Sequence, residues 1–429
     1  MNMTKKTLFI GILLILFKIS NAQIDTVKGY APSYKSLTIN VFIYKNFITD
    51  DTIVIQKFKV DTNGFFIFTL NIPQTQVFFL DLDYYYAFLY AEPNTNYNII
   101  LPVKKERSDE EKLNPFFAPA IIPAIVKEPE NALNNKIVEF NNLYSKMLKK
   151  TLWHKEYYDT AITQLTTFGQ LFDNQYFKDF KKFKIASFKY YIFPQTRKNI
   201  IKNYLADTSV LYKNVAYIGL LKSVIENFFD YSNDLIDISA IYKALKNKEL
   251  TKLKQVLQNS GLFAQNQELI EITILKGLYD LYYNMPSADN DIIAVIEKLS
   301  YSSEYQEVKD IAQNLYIHFT TLKIDYPAPD FNLPNKKNKY KKLKDFQPKF
   351  IYLQFCHSES YACQKQIILL KKFSKTKPKS LEIITIFVAD SISQMKNFIT
   401  EHKCKWTFLF WDKNYNQKNI MLKIGRAHV

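Results

Sequence analysis

The chain has 429 residues, of which 47% are hydrophobic and 23% charged, with a formal net charge of +16. That length calls for more than one domain and supplies several cores, and the balance is ordinary for folded protein. A small disulfide-stapled fold is excluded, because the three cysteines, Cys356, Cys363 and Cys404, all fall in the last quarter. The charge does not single out nucleic acid as a partner. Arg107, Arg197 and Arg426 are the only arginines, and the dominant Lys, Asn, Ile, Tyr and Phe all have AT-rich codons. No basic helix interleaved with aromatics stands out, so no nucleic-acid partner is expected.

Residues 1–22 read as a signal peptide. Lys5 and Lys6 form a charged start, an apolar stretch follows from Leu8 to Phe17, and Ser20-Asn21-Ala22 is a small-residue cleavage site. The apolar run is too short to span a membrane comfortably, so no transmembrane anchor is expected after cleavage.

Residues 23–115 read as an antiparallel β-sandwich. Leu37, Ile39, Val41 and Ile43 alternate, as do Phe66, Phe68 and Leu70. Between them Asp61-Thr62-Asn63-Gly64 is a turn in which Gly64 is free to take positive φ. The run Tyr84-Tyr85-Tyr86 is read as a strand with aromatics on both faces rather than as a ligand groove. Charge runs and prolines over residues 103–132 suggest a surface linker, after which a helix is expected to start at Glu128-Pro129-Glu130-Asn131.

Residues 116–323 read as an all-α domain. Leu133, Ile137, Phe140, Tyr144 and Leu148 keep helical spacing, and further amphipathic segments cover 210–231, 250–257, 269–283 and 292–299. His154 and His318 are far apart and are read as packed histidines. Nothing here has the pattern of a metal site or a nucleophile, and no metal or cofactor is expected.

Residues 324–429 open with Ala328-Pro329-Asp330-Phe331-Asn332-Leu333. The apolar run Phe350-Ile351-Tyr352-Leu353 reads as a buried strand, followed by the polar turn His357-Ser358-Glu359-Ser360. Cys363, Ile367, Leu370 and Phe373 then share one helix face. Residues 381–389 and 406–411 read as further strands around a helix capped by Ser391, giving a β-α-β-α-β order and a mostly parallel sheet.

These residues resemble the TlpA-like thioredoxins of bacterial envelopes. In that family a strand runs through Phe and Trp-Ala-Ser-Trp into Cys-x-x-Cys at the start of a helix. Phe355 and Ser358 match, Cys363 matches the second cysteine, Ser360 stands where the nucleophilic cysteine belongs, and Cys356 stands where the first Trp belongs. Asn338 and Pro348 replace two glycines of the family, and Lys349 matches the residue ahead of the strand.

The resemblance implies an exported thioredoxin-like protein of a gram-negative periplasm or envelope, with envelope proteins carrying thiols or disulfides as partners. Ser360 cannot form a sulfur–sulfur bond, so the site is expected to be degenerate, with Ser360 as helix N-cap and Cys363 as a buried thiol. Binding or scaffolding is then the expected role. Two active alternatives remain: a relocated Cys356–Cys363 pair, and a peroxiredoxin-like use of Cys363 with the Ser360 hydroxyl. A zinc reading would gather Cys356, His357, Cys363, His402 and Cys404, but a helix of this length is expected to carry His402 and Cys404 away.

A helix is expected from Asn416. The family's next strand, preceded by a cis-proline, is not found, so the thioredoxin-like domain is expected to be incomplete. Residues 423–429 read as a translated sequencing adapter, which puts the expected gene end near Lys423.

The leader generates a direct expectation. Mass spectrometry of exported material should find a chain beginning at Gln23; membrane-retained material still starting at Met1 would contradict it.

Overall fold

The computed structural model describes residues 24–411 apart from 109, 112, 113, 115, 116, 131, 322, 325, 347–349, 358, 359 and 390. The expected leader, Pro348, Lys349, Ser358, the helix from Asn416 and the expected ending lie outside the described residues.

The first region is a sandwich of two sheets. Its strands are β1 (Ile24–Tyr30), β2 (Thr38–Tyr44), β3 (Thr52–Lys59), β4 (Phe65–Asn71), β5 (Gln76–Asp81), β6 (Tyr85–Ala91), β7 (Tyr97–Ile100), β8 (Ala120–Pro123) and β9 (Ile125–Glu128). The sheet orders are β4-β1-β7-β9 and β3-β2-β5-β6-β8. β4 alternates perfectly, with Phe66, Phe68 and Leu70 inside. Phe68 stacks on Phe58 of the other sheet with ring centres 4.5 Å apart. The Asp61–Gly64 turn therefore carries the chain from one sheet to the other and is not a hairpin. Asp61 accepts the N–H groups of Asn63 and Phe65, each at 2.8 Å, and Gly64 takes φ +95°. Tyr85 and Tyr86 point to opposite faces as expected: Tyr85 packs on the sandwich core and Tyr86 on Phe42.

Two expectations are corrected. β8 and β9 lie in the stretch read as a linker, so the sandwich extends to Glu128, past 115. Each completes an edge, where Pro123 removes no ladder bond that the fold needs. The sandwich is also not purely antiparallel, because β1 pairs with β7 and β6 with β8 in parallel.

The helical region comprises α1 (Leu133–Trp153), α2 (Tyr158–Thr167), α3 (Gln175–Ile192), α4 (Arg197–Ile200), α5 (Val215–Ile225), α6 (Ile238–Lys246), α7 (Leu250–Asn259), α8 (Gln267–Asn284), α9 (Asp289–Ser302) and α10 (Gln306–Thr320). The segment read as helical over 210–231 shrinks to α5. Asn214 caps its start by accepting the N–H groups of Ala216 and Tyr217, and beyond its end Asn227 turns to φ +48°. α8 is buried along most of its length, and its Glu271 takes the Lys254 ammonium and the Ser303 hydroxyl. His154 is not packed as expected but exposed beside Glu156; His318 sits against Phe319 and bonds the Tyr283 hydroxyl at 2.8 Å. No helix among the described residues is long and apolar enough to cross a membrane.

The last region holds β10 (Asn332–Pro334), β11 (Tyr340–Lys342), β12 (Phe350–His357), α11 (Tyr361–Thr376), β13 (Leu381–Val388), α12 (Ile392–Glu401) and β14 (Thr407–Trp411). β12, β13 and β14 pair in parallel in that order, the expected β-α-β-α-β arrangement. β10 and β11 form a hairpin in which Asn338 takes φ +62°, the left-handed conformation for which Asn substitutes for Gly. Asn335 bridges this hairpin to Leu409 of β14.

The sandwich keeps a core of its own, and three of its side chains cross into the helical core. Phe47, Ile48 and Tyr90 of the strand region belong to the same apolar cluster as α1, α3 and α8. β8 covers β6 only as far as Phe88. Beyond that point the side chain of Asn134, at the start of α1, accepts the Tyr90 N–H and donates to the Tyr90 carbonyl, both at 2.7 Å. It continues the ladder with an amide side chain. Asn134→Ala leaves two buried backbone groups unpaired, so the urea midpoint should fall by the equivalent of roughly 2–4 kcal/mol. An unchanged midpoint would show that the clasp contributes nothing.

Candidate functional site

β12 alternates between its two faces, and Gln354 and Cys356 point to the buried one beneath α11. The strand ends at His357. Ser360 holds extended backbone, and its Oγ accepts the Cys363 N–H at 3.3 Å, which makes it the helix N-cap. α11 then buries Cys363, Ile367 and Leu370, but Phe373, expected on the same face, is 41% exposed.

The strand end and the first helical turn bring Cys356 and Cys363 together. Their sulfurs are bonded, with Cα atoms 5.3 Å apart, inside the range a disulfide spans without moving the backbone. Cys356 is 2% and Cys363 4% exposed. Cys363 is therefore not a lone buried thiol, and the relocated pair is the arrangement present. The Ser360 hydroxyl lies on the same turn and is engaged by the helix.

Cys404 is free and buried. The chain reverses after α12, with Lys403 at φ +51°, and returns Cys404 to the apolar cluster that holds the pair, which the expected divergence of that helix had excluded. Burial pushes its thiol up to about 11, with Lys371 pulling weakly the other way. His402 stacks on Phe398 with ring centres 4.1 Å apart, and its Nδ1 lies 3.1 Å from the Phe398 carbonyl oxygen. Among the described residues no group of three His, Cys, Asp or Glu side chains is placed to hold a metal ion.

A polar thread runs beneath the pair, unnoticed in the sequence. Gln354 donates to Gln366 of α11 at 3.2 Å, Thr385 of β13 donates to Gln354 at 3.0 Å, and the Trp406 indole donates to Thr385 at 2.9 Å. Gln354 and Thr385 are both buried. The available signal was a polar residue inside each of two apolar strands, since a buried polar group needs a partner.

Residues 324–419 match the AhpC/TSA family. Among solved structures, the thioredoxin domain of a thiol-disulfide oxidoreductase from Bacteroides vulgatus is 22% identical, over 24% of this chain and 74% of that one, with a TM-score of 0.22. A thiol:disulfide interchange protein from a Bacteroides species is 23% identical over 23% of this chain, with a TM-score of 0.21, and the match spans 64% of that protein's length. A thioredoxin-like protein from Bacteroides caccae is 16% identical over 53% of this chain and 80% of that one, with a TM-score of 0.27. No curated protein matches the chain. The parallel strand-helix order around the cysteine pair falls within the residues that match this family, so the last region of the chain is thioredoxin-like and similar to the AhpC/TSA family.

Proposed function

We propose that this is an exported envelope protein whose thioredoxin-like domain binds or scaffolds, with little thiol-disulfide exchange of its own. The observation that carries this reading is the sealed pair, Cys356 and Cys363, at 2% and 4% exposure. Exchange requires a thiolate to reach one sulfur and displace the other as a thiolate, so access limits its rate. The half-buried position at the helix start is held by Ser360, whose hydroxyl cannot take part. The leader-like residues 1–22 support export, and partners are then envelope proteins carrying thiols or disulfides, met without a membrane anchor.

A second reading is favoured by one specific observation. The two cysteines are already paired at the strand-to-helix junction, where the helix N-terminus stabilises a thiolate at Cys363. An oxidoreductase or peroxidase would then use Cys363 with Cys356 as its partner.

Turnover separates the two, and a thiol count checks the pairing that both share. The native oxidised protein should show no reactive thiol at pH 8, because the raised Cys404 keeps its proton until the pH approaches about 11. Unfolding should expose one thiol, and reduction three. The Cys404 shift favours the folded state fully below the ordinary thiol value, and this contribution is lost as pH rises through about 11. The protein should reduce insulin no faster than the uncatalysed rate, and Ser360→Cys should bring turnover by placing a thiol at the helix N-terminus. Ready turnover by the unmodified protein, abolished by Cys363→Ala and untouched by Cys404→Ala, would establish the second reading instead.

A further inference from the structure

Away from the cysteine pair, α3 and α5 leave an open groove of about 550 Å³ between them. That size lies within the usual range for small-ligand sites, roughly 300–1,000 Å³. α3 lines one wall with Lys184, Ser187 and Tyr191, spaced to share a face. α5 lines the other with Gly219 and Ser223, Glu226 follows just past its end, and Tyr144 of α1 stands at the Lys184 end.

Lys184 is the unusual member. Its ammonium lies 4.3 Å from the centre of the Tyr144 ring, and among the described residues no carboxylate pairs with it. A half-buried cation without a counter-ion is costly, and burial holds its pKa below the usual lysine value. Along the groove the acceptors follow in order. The Ser187 and Ser223 hydroxyls donate to helix carbonyls, each at 2.9 Å, which leaves their oxygen lone pairs for a ligand. The Glu226 carboxylate is exposed at the far end, and Tyr191, 60% exposed, offers a ring face. Burial, with Tyr191 adding to it, pushes Tyr144 up to about 12, so its hydroxyl remains a donor near neutrality. The floor is open: a Cβ built on Gly219 meets nothing within 4 Å.

We infer that this groove binds an acidic sugar, its carboxylate on Lys184, its rings against the tyrosines and its hydroxyls on Ser187, Ser223 and Glu226. A simple aromatic acid would satisfy Lys184 and a tyrosine face but leave the row of acceptors unused. From Lys184 to Tyr191 the wall rises about 10 Å at 1.5 Å per residue, longer than one sugar ring.

Isothermal titration of the whole chain with a galacturonate trisaccharide tests this. Saturable binding is expected, weakening as salt is added. Lys184→Gln should weaken it at least about tenfold, which is ~1.4 kcal/mol, and Lys184→Arg should retain most of it. Neutral maltotriose should bind at least about tenfold more weakly. Gly219→Leu provides a second variant, since Leu is favoured over Gly in a helix and its side chain would fill the open floor. It should abolish binding without lowering the unfolding temperature. No saturable binding at about 1 mM ligand would overturn the proposal, as would wild-type affinity in both Lys184→Gln and Gly219→Leu. Phenylacetate binding as well as the trisaccharide would overturn the sugar assignment.

Discussion

The thioredoxin-like domain depends on how the end of β12 meets the start of α11. The bond between Cys356 and Cys363 ties that junction with only seven residues of separation. Closing so short a loop restricts the unfolded chain by about 2–3 kcal/mol on the chain-entropy account. Ser360 adds the N-cap on the same turn, so the segment is held by a covalent link and a hydrogen bond at once. Both hold α11 over the sheet through Ile367 and Leu370, and the Gln354–Thr385–Trp406 thread pins the strands below. Both sulfurs of the pair are turned into the core.

In the rest of the chain two apolar cores are joined by side chains that cross between them. The β2–β3 connection inserts Phe47 and Ile48 into the helical core, and Tyr90 follows from β6. Asp50 at the same connection pairs with Lys222 of α5 at 3.2 Å. Exposed ion pairs of this kind contribute little. The apolar insertion and the Asn134 clasp carry the junction, because each would expose apolar surface or leave backbone groups unsatisfied if broken.

This division bears on function. On the proposed reading the sealed pair suits the last domain to binding, and the groove proposed to take a ligand lies in the helical region. Lys184 sits in the α3–α5 groove without a carboxylate partner among the described residues. A cation held at that cost in a groove of hydroxyls and rings calls for an anion from outside the chain.

Much of this was legible in the residues alone. The alternation of Phe66, Phe68 and Leu70, the helical spacing of Leu133, Ile137 and Phe140, the cap at Ser360 and the left-handed Asn338 all follow from local rules, which act within a turn or a strand. The cysteine partners were not legible, because sulfur pairing depends on the distance between two Cβ atoms set by the whole strand-to-helix junction. β8 and β9 escaped for a related reason: a short edge strand is defined by its neighbour, and prolines and charges are tolerated there. The Asn134 clasp, the Gln354 thread and the Lys184 groove each join residues from separate elements. By itself the sequence determined most of the strands and helices and the caps at Ser360 and Ser391. Only the tertiary structure decided which side chains meet, since period and propensity are local while contact is set by packing at long range.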